Sequence, residues 1–124
     1  MSHQDIKEEV LSLTQKLLEY IQRCDWESYT ALCDPSLTCF EPEATGHLVE
    51  GMEFHHFYFK LGENLALVPT PTNTTMSSPH VRVIGESVAI VSYVRLIQRV
   101  GKDGAPSTKS VEETRVWEKK KGSW

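Results

Sequence analysis

The feature that most constrains this chain is a change of hydrophobic period along its length. Near the start, Ile6, Val10, Leu13, Leu17 and Ile21 recur at steps of three or four. That spacing places them on one stripe of a helix, with Lys7, Glu8, Lys16 and Gln22 on the opposite side. From residue 80 onward the period falls to two. HVRVI, then Gly85-Glu86, then SVAIVSYVRLIQRV predict a hairpin, and STKSVEETRVWE after Gly101–Gly104 predicts a further strand. A helix followed by a meander implies an α+β domain, an antiparallel sheet with helices on one face.

The middle of the chain is less regular. Asp5 is expected to cap the first helix, and Asp25 a short second one that Pro35 prevents from continuing. Residues 37–41 alternate as a short strand, and Glu41–Gly46 is rich in turn formers. The aromatic run MEFHHFYFKL, residues 52–61 between Gly51 and Gly62, predicts a helix packed on more than one side, although its composition would also suit a strand. Residues 64–79, with three prolines, predict a loop or an irregular edge strand. At 124 residues the chain is expected to form a single domain, 1–124.

Composition excludes several classes of function. The formal net charge is -4, and the only basic run is Lys119-Lys120-Lys121, so no clustered basic face marks a nucleic-acid partner. No apolar run approaches the roughly 20 residues of a membrane span. The N-terminus is too polar for a signal peptide. Cys24, Cys33 and Cys39 are odd in number and contain no Cys-x-x-Cys pair, which points to free thiols in a reducing, cytoplasmic setting. No phosphate loop, nucleophile elbow or calcium-loop spacing is present, so no catalytic residue and no cofactor is expected. Adjacent His55 and His56 point in different directions on a helix, and no metal site is expected from them.

Two charges fall where burial is expected. On residues 87–100, Ala89, Val91, Tyr93, Arg95 and Ile97 share one face, while Val88, Ile90, Ser92, Val94 and Leu96 share the other. Both faces are apolar, which predicts cover on both sides. On the next strand Val111, Glu113, Arg115 and Trp117 share a face. A buried guanidinium requires an anion, so two readings stay open. Glu113 pairs with Arg95 or Arg115 as a structural ion pair, or the two arginines converge on a pocket that binds a carboxylate.

Five strings then carry a resemblance. CDPSLTCFEPEATGHLVEG, FHHFYF, SPHVRVIGE, YVRLIQ and EETRVW, in this order and spacing, resemble the hub (association) domain of calcium/calmodulin-dependent protein kinase type II. The similarity runs from about Ile6 to Trp124. It implies a nuclear-transport-factor-2-like cone, in which a long N-terminal helix packs on a strongly curved antiparallel sheet. It implies a non-catalytic oligomerisation hub that gathers kinase subunits into a two-ring assembly, a dodecamer or tetradecamer. It also implies a cavity for small carboxylates. Matched to the family's motifs, Arg95, Arg115 and His55 fall at its pocket positions, with Tyr93 nearby. The family's last strand, with a further pocket arginine, is expected to be missing after Trp124, and no tryptophan stands near Glu63. A small-molecule binding module, or an isomerase or cyclase on the same cone, is the alternative.

Overall fold

The fold is that of a computed structural model that describes residues 2–65 and 72–124, with residues 62–65 described by backbone alone. Helix α1 (His3–Gln22) opens on a capping box. The Ser2 hydroxyl accepts from the Asp5 amide at 3.1 Å, and the Asp5 carboxylate accepts from the Ser2 amide at 3.1 Å. The cap is therefore Ser2. Asp5, expected there from sequence, stands three residues on, where its carboxylate answers the cap's own N–H. The stripe of α1 buries Ile6, Val10, Leu17 and Leu18, together with Thr14. The Thr14 hydroxyl donates to the Val10 carbonyl at 2.7 Å and so enters the core with its polarity satisfied.

Helix α2 (Trp26–Leu32) starts at Asp25, whose carboxylate accepts from the Ser28 amide at 3.2 Å. Strand β1 is shorter than its alternating sequence predicts, Thr38–Cys39, paired antiparallel with β2 (Val49–Glu50). The reason lies in the residues after it. Pro42 has no N–H to donate, and turn bonds from Ala44 to Glu41 (3.0 Å) and from His47 to Ala44 (3.1 Å) draw the chain out of the ladder. At the end of β2 Gly51 takes φ 77, and its amide reaches the Leu37 carbonyl at 2.7 Å. That left-handed step suits a glycine and sets α3 (Glu53–Leu65) beside β1.

The aromatic run is helical, and the helix continues through Gly62, expected to end it, as far as Leu65. His55 and Phe59 turn inward, and His56 stacks on Trp26 at a centroid distance of 4.5 Å.

Strands β3 (Thr72–Ile84), β4 (Val88–Val100) and β5 (Pro106–Glu118) form an antiparallel sheet in the order β3-β4-β5. The segment expected to be a loop or irregular edge is strand from Thr72 onward, and residues 66–71 lie outside the described residues. The irregularity is local. The register with β4 shifts between Ser77 and His80, with Ser78 at φ 50 and Pro79 inside the bulge, where a missing N–H breaks no ladder bond. On β4 the inner face is fully buried at Ala89, Val91 and Tyr93. The outer face, expected to be covered as well, is only half-buried in the single chain, with no helix over it among the described residues. Helix α1 crosses the inner face of β3 and β4, and the core sits between them. This is the α+β arrangement that the change of period predicts.

Candidate functional site

A cavity of about 1000 Å³ opens between α2, α3, β1 and the inner face of β4 and β5. That is ample for a small ligand. Its wall includes His55, Arg95, Arg115, Glu113, Glu41 and Cys39. Tyr93 is not in that wall; it stands behind it in the sheet and acts through its hydroxyl.

Strand register explains the charged half of the wall. Tyr93 lies directly opposite Glu113, and Val91 opposite Arg115. Cross-strand partners on one face are close, and long side chains also reach the diagonal neighbour. The Tyr93 hydroxyl donates to Glu113 Oε1 at 2.6 Å, and Arg115 Nε donates to the Tyr93 oxygen at 2.8 Å. Arg95 Nη2 meets Glu113 Oε2 at 3.0 Å, and Arg115 Nη2 meets Oε1 at 3.4 Å. One carboxylate thus bridges both arginines, where the sequence reading had it paired with one of them. The three side chains are 18%, 24% and 17% exposed for Arg95, Arg115 and Glu113, so the group is largely shielded from water. It carries one net positive charge. Arg95 Nε is buried without an acceptor among the described residues.

The surroundings shift the titrating groups. Burial pushes the Tyr93 phenol up to about 12, and the hydrogen bond to Glu113 adds to this against the pull of Arg115. Burial works against the Arg115 guanidinium, but the Tyr93 and Glu113 oxygens outweigh it and raise its pKa. Arg115 therefore stays charged in its enclosed position.

The other half of the wall is centred on His55, which is 7% exposed. Its Nε2 lies 3.2 Å from Glu41 Oε1 and 3.4 Å from Cys39 Sγ, and the Cys39 thiol donates to the same Glu41 oxygen at 3.0 Å. The hydrogen bond from His55 holds the Glu41 carboxyl below its ordinary value, against burial. Burial, then the Glu41 contact, pushes the Cys39 thiol up to about 12. Sequence reasoning singled out His55 but not Cys39 or Glu41. Their spacing of two on an extended segment puts them on one side, which was readable. That this side faces α3 depends on the Gly51 step.

The family model for the calcium/calmodulin dependent protein kinase II association domain matches residues 6–124. The chain belongs to that association-domain family. Within it, the domain is 47% identical over 118 residues to the type II subunit delta of Oryctolagus cuniculus, covering 95% of this chain and 22% of that relative. The association domain thus spans about a fifth of the length of the kinase that it matches. It is an association domain and not a catalytic one. Among solved structures it is similar to the hub homology domain of Chlamydomonas reinhardtii, with 50% identity, a TM-score of 0.84, and 96% and 91% of the two chains covered. It is also similar to the association domain of C. elegans, with 43% identity, a TM-score of 0.85, and 98% and 90% covered. Among the described residues of this association domain, no helix is long and apolar enough to cross a membrane.

Proposed function

We propose that residues 1–124 form a single oligomerisation hub, which gathers calcium/calmodulin-dependent protein kinase II subunits into a closed two-ring assembly, a dodecamer or tetradecamer. The observation that carries this reading is the family match across residues 6–124. The surface is in keeping with it. Phe40 is 83% exposed, Val116 69% and Phe57 62%, an amount of bare apolar surface that neighbouring subunits would cover. Closed symmetric rings are the usual result of repeated contacts between identical chains. A hub of this kind raises the local concentration of the attached kinase domains without any new contact between them. None of the three cysteines forms a disulfide, in keeping with a cytoplasmic location. Native mass spectrometry of the purified chain tests the proposal. A ring-sized mass is expected, and a monomer at micromolar concentration would overturn it.

A second role for the same domain rests on the arginine pair. The net positive charge of Arg95, Glu113 and Arg115, and the unanswered Arg95 Nε, suit a small carboxylate entering beside His55. Tyr93 holds Arg115 in place for it. Calorimetric titration of short carboxylates against the parent, Arg95→Ala and Arg115→Ala is the test. Each substitution should weaken binding by about 1.5–3 kcal/mol, the scale of hydrogen bonds to charged groups. Equal affinity in all three would make the arginines purely structural. An isomerase or cyclase reading has no comparable support, since the family matched is an association domain.

A further inference from the structure

We propose that Cys39, Glu41 and His55 form a binding site for a zinc-type transition-metal ion on the wall of the cavity. Their ligand atoms already lie at the corners of a small triangle. Cys39 Sγ to Glu41 Oε1 is 3.0 Å, Glu41 Oε1 to His55 Nε2 is 3.2 Å, and His55 Nε2 to Cys39 Sγ is 3.4 Å. A tetrahedral zinc with bonds of roughly 2.0–2.3 Å would hold three such ligands about 3.3–3.6 Å apart. The triangle needs to widen by only a few tenths of an ångström to accept the ion.

The scaffold holds the three from separate directions. Cys39 lies on β1, Glu41 on the turn that leaves it, and His55 in the first turn of α3. Rings flank the His55 imidazole, Tyr29 at a centroid distance of 6.2 Å and Phe54 at 6.1 Å, leaving Nε2 directed at the other two ligands. The site borders the cavity, so a water or a ligand could take the fourth position, as in zinc sites with three protein ligands. A thiolate, an imidazole and one carboxylate favour zinc or cobalt over magnesium or calcium, which prefer all-oxygen shells.

Charge fits as well. A divalent ion with one thiolate, one carboxylate and a neutral imidazole sums to zero, so the neighbouring Arg115 does not oppose it. The metal-free site holds the proton of the Cys39 thiol. Binding breaks that S–H bond, forms the metal–sulfur bond and releases one proton to solvent. Because binding releases that proton, affinity should rise with pH through the neutral range. His55 Nδ1 is buried without a partner among the described residues. No outer hydrogen bond steadies the ring, and this places the affinity below that of a fully supported site by roughly 10–100-fold.

The experiment uses the untagged, metal-free full chain titrated with cobalt(II) and followed by absorption. One cobalt per chain is expected, with an intense near-ultraviolet thiolate-to-cobalt band and visible bands of tetrahedral strength, displaced by zinc(II). One proton should be released per ion. The band should vanish in Cys39→Ser and persist in Cys33→Ser, the other thiol on the cavity wall. His55→Gln should lose more affinity than the roughly 10–100-fold typical of an outer-shell partner. Should Cys39→Ser fail to fold, Glu41→Gln keeps the thiol and must still bind cobalt more weakly than the parent. No band at saturating cobalt, a band that survives Cys39→Ser, or Glu41→Gln binding with parental affinity would overturn the proposal.

Discussion

The Trp117 indole N–H donates to the Thr14 hydroxyl at 3.1 Å, joining the last strand to the first helix inside the core. Thr14 has no exposed surface and Trp117 is 6% exposed. The Thr14 oxygen accepts from the indole while its own O–H donates to the Val10 carbonyl. Neither polar group reaches water, so each depends on the other.

Thr14→Val keeps the shape but strands the buried indole N–H. A loss of about 1–3 kcal/mol of stability is expected, the penalty for an unsatisfied buried donor. Chemical denaturation of Thr14→Val, Trp117→Phe and the double variant checks it. The two effects should couple by about 1 kcal/mol. Strict additivity would show that the hydrogen bond contributes nothing to stability.

Glu113 is the single carboxylate between Arg95 and Arg115 among the described residues, and Glu113→Gln leaves two guanidinium groups facing each other in a shielded site. Removing one partner from a fully buried pair costs about 3–5 kcal/mol, while exposed pairs are worth about 0–1. With roughly a fifth of these side chains exposed, about 2 kcal/mol is expected at low salt. Added chloride or a short carboxylate should recover part of it in a thermal melt. An unchanged melting temperature would mean that water, and not Glu113, balances the arginines.

Much of this was legible in the sequence because the signal was local. The α1 stripe follows from five apolar residues at helical spacing, and the inner face of β4 from the alternation of Ala89, Val91 and Tyr93. Thr14 escaped notice because a threonine between apolar neighbours reads as surface until a partner 103 positions away is placed beside it. The bridging role of Glu113 needed register as well as parity. Parity puts Glu113 on the arginine face of β5, but only pairing with Tyr93 sets it between both guanidinium groups. Cys39 and Glu41 were missed for a related reason. They meet His55 only because the chain turns back through β2 and Gly51, a tertiary event without a sequence period. Thr72–Ser78 stayed open between a loop and an irregular edge strand because Thr, Ser and Asn in a proline-rich setting resemble a loop, and pairing with β4 decides for the edge strand.

Val116 points away from the core on β5 and is 69% exposed in the single chain. Substitution there should leave the subunit fold within about 0.5 kcal/mol of the parent, as is usual for surface positions. If the outer face of the sheet is covered by a neighbouring subunit, Val116→Lys buries a charge at that contact. The expected result is a lower native mass with an unchanged circular dichroism spectrum. Unchanged mass would place the subunit contacts elsewhere.

The contact between Glu41 and His55 makes a prediction about acid stability. The hydrogen bond from His55 is the chief cause of the depressed Glu41 pKa, and Cys39 and Arg115 act in the same direction. A carboxylate whose folded pKa lies below its unfolded value favours the folded state wherever it is ionised. That contribution is fully present above the unfolded value and is lost as pH falls through the folded one. The parent should therefore lose stability progressively once pH drops below the ordinary carboxyl value of 4.5. Glu41→Gln retains an oxygen facing His55 but has no proton to take up, so its stability should fall less steeply over the same range. Urea midpoints measured from neutral pH down to pH 3 for both proteins give the comparison. Parallel curves would show that the Glu41 carboxylate is no better held in the folded chain than in the unfolded one.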